Sequence, residues 1–180
     1  MGKPQAPEPV KLLVGLLARR PEWLAAAERH LEAAFGPIDL ASERIPFDTT
    51  GYYEPEMGAG LIRKFITHKE LVSPGDLAGI KLATNALEAT LAEELDADVP
   101  RPVNLDPGYL DGSKLVLATT KNDAHRIYID QGIYAEVTLT WRRGAWQPTP
   151  WTYRDYRSEP YRAFFAQARG RYLEERRAGG

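Results

Sequence analysis

An α+β fold is what this sequence predicts, and three observations predict it. An unbroken apolar run over residues 10–19 has the composition of a strand covered on both faces. Two longer segments repeat apolar residues at helical spacing: Leu24, Ala27, Leu31 and Phe35 in the first, and Leu77, Ile80, Leu87, Leu91 and Leu95 in the second. The remaining apolar stretches are short, strand-like and punctuated by Gly, Pro, Asn and Asp.

Taken in order, residues 1–9 hold three prolines and little apolar content, which predicts a flexible N-terminal arm ahead of a single domain over residues 10–176. After the first strand, Pro21 suits a first helical position and Gly36 ends the helix. Residues 38–48 and 61–71 read as strands joined by the loop "TTGYYEPEMGAG". A second helix opens at Ser73 and Pro74, with Asp76 as an approximate capping-box acid. Residues 101–105 form the next strand, ended by a type II turn at "DPGY". The order strand, helix, strand, strand, helix, strand is that of a ferredoxin-like βαββαβ core. Residues 113–120, 125–130, 133–141 and 145–148 extend it with antiparallel β-hairpins, and an amphipathic C-terminal helix over 161–176 closes the chain before a frayed "RRAGG". Around Gly132, a three-residue loop sets Ile127 against Ala135 and Arg126 against Glu136, whereas a two-residue loop would mix the faces, so the former register is expected.

Composition bounds the function. With 180 residues and 43% hydrophobic content, the chain supports one well-formed core. A net charge of −2 with interspersed signs gives no field for polyanions, so no nucleic-acid partner is expected. Zero cysteines exclude disulfides, thiolate nucleophiles and sulfur-ligated metal sites. The longest apolar run, residues 12–18, is far short of the ~20 residues that span a bilayer, and the N-terminus lacks the order of a signal peptide. A cytoplasmic protein without a membrane partner is expected.

Chemistry-bearing residues concentrate between positions 104 and 136. Asn104 and Asp106 flank Leu105, so alternation sends both to one side where a strand ends; the bland reading is a turn brace. Arg126 and Glu136 face one another across the hairpin, either as a surface ion pair or as part of a wall with Tyr128, Tyr134 and Thr138. His125 begins its strand on the opposite, apolar face with Ile127 and Ile129, which argues against convergence with Glu136, so no metal site is assigned. His30 and His68 lack acidic or histidine partners at ligand spacing. The loop over 49–60 reads equally as a lid, with Arg63 and Lys64 at its exit, or as a plug of the core edge. Lys81, Asn85 and Glu88 make a polar stripe bordering the buried helix face, suited to braces on "NLDPG" or to site walls.

The stretches "TTGYYEPEMGAGLIRKF", "IKLATNALE", "VNLDPGYL", "LVLATTKNDAHRIY", "GIYAEVTL" and "WTYRDY" together resemble a bacterial family filed as domain of unknown function 4416, over nearly the whole chain. The resemblance implies no activity, although some members carry a GTP-binding label. A proline would be more typical of that family at Arg154. "TKND" at 120–123 matches a short guanine-reading pattern, but the chain lacks G-x-x-x-x-G-K-[ST], and "MGAGLIRK" has the wrong glycine spacing. G-x-S-x-G, H-E-x-x-H, G-x-G-x-x-G, paired H-x-T and RNP-type patterns are absent as well.

The expected function is a small-molecule enzyme or binder acting on an anionic, phosphorylated or nucleotide-like ligand. Arg63, Lys121 and Arg126 would hold the anion; Asn104, Tyr109 and Tyr128 are further ligand contacts. Asp106, His125 and Glu136 are the catalytic acid–base candidates, and the cofactor is left unassigned. The alternatives are a non-catalytic protein-interaction module presenting Trp141, Trp146 and Trp151, and guanine nucleotide binding without a phosphate-cradling loop.

Overall fold

The structure, a computed structural model, describes residues 2–178. Its centre is β1 (Val10–Ala18), every residue of which is buried, as the unbroken apolar run requires. β1 pairs antiparallel with β4 (Leu61–Val72) on one side and β5 (Val103–Leu110) on the other. β2 (Ile38–Ala41), β6 (Lys114–Thr119), β8 (Ile133–Arg142) and β7 (Ile127–Asp130) extend the antiparallel sheet in the order β2-β4-β1-β5-β6-β8-β7. β3 (Ile45–Phe47) pairs with β4, and β9 (Ala145–Pro148) with β8.

The two faces bury different partners. Leu12, Val14, Leu16 and Ala18 meet α1 (Pro21–Phe35) and α3 (Leu77–Glu94) through Leu24, Leu31, Ile80 and Leu91. Leu13, Phe65, Leu115 and Leu139 meet α4 (Glu159–Ala178) through Phe164, Phe165, Ala168 and Tyr172. Each fully buried side chain of this size stabilises the fold by about 1.5–3 kcal/mol. Among the described residues no helix is long and apolar enough to cross a membrane.

The expected strand over 38–48 is two strands, because Ser42 turns aside: its N–H donates to the Phe65 carbonyl at 2.8 Å and its hydroxyl accepts the Phe65 N–H at 2.9 Å. The loop after it contains a short helix, α2 (Glu54–Met57), whose Met57 is fully buried beside Leu17, Phe47 and Leu61. Ser73 accepts the Gly75 N–H, but Asp76 makes no side-chain cap. The C-terminal helix runs from Glu159 to Ala178, so Arg176 and Arg177 are helical where fraying was expected; Gly179 and Gly180 lie outside the described residues.

"DPGY" is the clearest departure. The chain does not reverse there: β5 runs straight through it, and Gly108 is not among the positive-φ glycines. Both residues answer to the neighbouring strand. β6 joins β5 only from Gly108 onward, so Pro107 stands beyond the end of that ladder, where a missing N–H costs nothing. A Cβ on Gly108 would fall 2.2 Å from the Val116 carbonyl oxygen, so close approach of β6 selects glycine.

The hairpin keeps the expected Ile127–Ala135 register by another route. Gln131 and Gly132 form a two-residue turn, with φ of 49° and 78°, and an irregularity between Tyr128 and Asp130 restores the faces.

Candidate functional site

Where β6 has not yet joined β5, the sheet presents a polar cluster on its α4 face. The register places Arg63 and Asn104 on either side of Leu17, and Phe65 and Asp106 on either side of Gly15. The Arg63 side chain, 2% exposed, reaches diagonally across Gly15 to Asp106, with Nη1 3.0 Å from Oδ2. A Cβ at position 15 would lie 3.2 Å from that guanidinium nitrogen and 3.1 Å from the Phe65 ring, so the glycine keeps the route open. Arg63 Nη2 lies 3.6 Å from Asp155 Oδ2, and the guanidinium overlies Phe47 at 5.2 Å and Phe65 at 5.8 Å. Among the described residues, Arg63 Nε and the buried Tyr156 hydroxyl have no hydrogen-bond partner.

A relay continues from Asp106. Its Oδ2 also accepts from Asn104 Nδ2 at 2.8 Å; Asn104 Oδ1 accepts from Arg101, which donates to Glu88 at 2.9 Å. Glu88 in turn accepts the Leu105 N–H at 2.7 Å, and Lys81 donates to the Leu105 carbonyl at 2.9 Å. Two members of the helix stripe thus satisfy the open edge of β5, the bracing role, as buried backbone groups demand. Lys64, expected beside Arg63, lies on the opposite face and pairs with Glu28 at 2.6 Å.

A second cluster centres on Glu136, 2% exposed. Its Oε2 accepts from Arg126 Nε at 2.8 Å and lies 3.1 Å from His125 Nε2; Thr138 donates to its Oε1 at 3.2 Å. The expectation that His125 and Glu136 face apart is overturned. β7 begins at Ile127, so alternation does not bind His125, which sits in the preceding turn and stacks on Trp151 at 5.3 Å. Nor is the face of Ile127 and Ile129 a buried one, since they are 72% and 37% exposed.

The segment over 149–157 joins the clusters. Thr152 donates to the Thr138 carbonyl and Trp151 Nε1 to the Val137 carbonyl, while Arg157 donates to the carbonyls of residues 149, 150 and 152. So held, Tyr153 accepts from Arg126 Nη2 at 2.9 Å, and its ring lies 6.0 Å from Tyr156. Burial and Glu136 push the Tyr153 hydroxyl up to about 12, with Arg126 opposing.

The two aspartates on Arg63 titrate in opposite senses. Burial pushes Asp106 up, but Arg63, Lys81 and the Asn104 amide outweigh it and hold the carboxyl below its ordinary value. For Asp155 burial wins over the attraction of Arg63, and Asp106 adds to it, so the carboxyl is raised.

The other expected site residues are placed as follows. Lys121 is exposed and donates to the Tyr52 hydroxyl at 2.5 Å, tying the 49–60 loop to the 120–124 loop. Tyr128 is 57% exposed and meets Tyr134 edge-on at the rim. Tyr109 does not belong: it pairs with Leu12 and Val116 on the α3 face and packs with Leu77 and Ala78. The tryptophans do not form one face, since Trp146 is 1% and Trp151 40% exposed. His30 has an acidic partner after all, Glu94 at 2.8 Å, supplied by the fold. Among the described residues no three His, Asp or Glu side chains gather as a metal-binding group.

Sequence reasoning missed Gly15, Arg101, Tyr153, Asp155 and Tyr156. Only "WTYRDY" marked any of the last three. A cavity of 560 Å³ adjoins this ground without containing it: Arg44, Asp48, Thr50 and Glu54 line it, together with Phe47, the ring under Arg63.

The family model described as Domain of unknown function (DUF4416) matches residues 8–172. No curated protein matches the chain.

Proposed function

We propose, for a chain that belongs to the DUF4416 family, that the Arg63 cluster is a small-molecule site with acid–base capacity. The observation carrying this reading is that Asp106 and Asp155 share one buried guanidinium while, among the described residues, Arg63 Nε and the buried Tyr156 hydroxyl lack partners. Unpartnered buried donors cost about 1–3 kcal/mol each, which a bound polar group or water would recover. Asp106, ionised and with 27% of its side chain accessible, would act as base; Asp155, whose proton is held more tightly, would act as acid.

The charges narrow the ligand. Arg63 and Arg126 are already matched by carboxylates, so neither is free to take an anion. Lys121, whose partner is the neutral Tyr52 hydroxyl, is the cation that can hold a phosphate or carboxylate at the rim. The ligand we infer is therefore a polar body with hydroxyl or amide groups at Asp106 and an anionic end at Lys121. Guanine reading by "TKND" has weaker support, because the Asp123 carboxylate already accepts the Ala124 N–H at 2.6 Å. An interaction module is the second reading, favoured by the exposure of Tyr52, Tyr128, Trp151 and Tyr153 around the cluster.

We also infer that β1 to β5, with α1 and α3, is a ferredoxin-like core; the order β2-β4-β1-β5, antiparallel throughout with both helices on one face, supports this.

The experiment is a thermal-shift screen of nucleotides, sugar phosphates and organic acids on the wild type and Asp155→Asn. A compound that stabilises the wild type and loses its effect in a folded Asp155→Asn variant supports the site. Hits indifferent to that substitution move it elsewhere, and an empty panel favours the interaction module.

A further inference from the structure

The loop over 49–60 is held unequally. Its second half is anchored: Met57 is fully buried among Leu17, Phe47 and Leu61, the Glu56 carbonyl accepts the Arg101 N–H at 3.1 Å, and a Cβ on Gly58 would fall 2.9 Å from the Arg19 guanidinium. Its first half is not. Among the described residues, the backbone hydrogen bonds of residues 48–53 run only within that stretch and into α2, and Asp48, Thr50, Gly51 and Tyr52 are exposed. Beyond the packing of Tyr53 on Phe47 and its neighbours, one contact ties this half down: Lys121 donates to the Tyr52 hydroxyl at 2.5 Å, with its ammonium 4.6 Å from the ring centre.

The segment crosses the polar ground already described. Its root, Phe47, lies under the Arg63 guanidinium, and its latch, Lys121, is joined through its carbonyl to Arg126 at 3.1 Å. The latch offers donors. The lysine ammonium keeps N–H bonds to spare after Tyr52 has taken one, and the Tyr52 O–H is still to be given, so both side chains can turn donors on one anion without parting. Among the described residues neither has another side-chain partner, and the carboxylate of Asp123, two positions along from Lys121, is turned to the Ala124 N–H at 2.6 Å. We propose that residues 48–52 are an entry flap to the Arg63 site, closed by the Lys121–Tyr52 contact, and that the closed flap grips the anionic end of the ligand between the Lys121 ammonium and the Tyr52 hydroxyl. This rests on the small-molecule reading of that site and adds to it a gate and a second anion contact.

Flap motion is readable without any ligand, which separates its test from that of the site. NMR relaxation dispersion should show exchange at residues 48–52 and none at residues 56–60. Lys121→Ala should raise the open fraction of the flap about two- to fivefold, as loss of one exposed contact allows, with the melting temperature nearly unchanged. Inorganic phosphate at about 10 mM, against sodium chloride of equal ionic strength, should lower the open fraction of the wild type by at least about twofold. That effect should be lost in Lys121→Ala and in Tyr52→Phe, which keeps the ring and removes the O–H. Exchange that is missing from residues 48–52, or shared with residues 56–60, in both the wild type and Lys121→Ala would overturn the flap, as would phosphate that acts no differently from chloride, whatever becomes of Asp155→Asn in the ligand screen. A flap that responds as expected while hits in that screen ignore Asp155→Asn would count against the acid–base reading alone and support the gate and its anion grip.

Discussion

The two polar clusters are near mirror images in arrangement. One is a buried cation, Arg63, between two carboxylates; the other is a buried anion, Glu136, between Arg126 and His125. Tyr153 links them through Arg126. The Glu136 cluster is closed on itself: its carboxylate has three partners, and its arginine also reaches the Lys121 carbonyl at 3.1 Å. The Arg63 cluster is not closed, since an N–H and a hydroxyl are unmatched and its carboxylates are pushed apart in proton affinity. A satisfied ion cluster rigidifies a fold, whereas an unsatisfied one leaves chemistry to be done. That difference is why the proposed site lies on β4 and β5 rather than on the hairpin.

The strongest way to break the comparison is to remove each centre. Arg63→Ala leaves Asp106 and Asp155 facing one another without a cation and should cost about 3–5 kcal/mol in urea denaturation. Glu136→Ala strands Arg126 in the same manner, but Arg126 keeps the Lys121 carbonyl and the Tyr153 hydroxyl as hydrogen-bond acceptors, so a smaller loss, about 2–3 kcal/mol, is expected. Equal losses would mean that both clusters are simply structural.

Gly15→Val should come next, at about 1–3 kcal/mol, because its methyls occupy the path of Arg63 and push against the Phe65 ring. Its measurable sign would be loss of any ligand effect together with stability, whereas Gly15→Ala, which asks neighbours to yield by only a few tenths of an ångström, should retain both.

The aspartates sharpen the contrast through pH. Asp106 has a depressed folded value, so its contribution is present above the ordinary aspartate value and is lost as pH falls through the folded one. Asp155 has a raised folded value, so its contribution is present below the ordinary value and is lost as pH rises through the folded one. Asp155→Asn should therefore gain stability relative to the wild type as pH rises from the acid side through that window, and Asp106→Asn should lose it. Denaturation midpoints from acid to neutral pH would check both signs. The smallest effect belongs to Lys121→Ala, an exposed contact worth about 0–1 kcal/mol, which should leave the melting temperature nearly unchanged.

How much of this was legible follows from what each residue answers to. Residues 10–19, Pro21, Gly36 and the helix stripe of Lys81 and Glu88 answer to local periodicity and to their own strand or helix, and the sequence is explicit about them. Pro107 and Gly108 answer to a strand that joins partway along β5, so their turn chemistry misleads. His125 lies two residues before its strand, beyond the reach of alternation. Asp155 sits in an aperiodic segment, and its meaning depends on Arg63, ninety-two positions away, which only the fold brings near. Gly15, a glycine within an apolar strand, reads as neutral until a side chain from the next strand is seen to cross it.

The proposed site depends on the divided proton affinity of Asp106 and Asp155, which carbon-13 NMR of labelled aspartate carboxyls measures directly across a pH titration. One carboxyl should titrate below the ordinary aspartate value and disappear in Asp106→Asn, and another should titrate above it and disappear in Asp155→Asn. Two carboxyls that titrate together, or an Asp155 that ionises at or below the ordinary value, would contradict it.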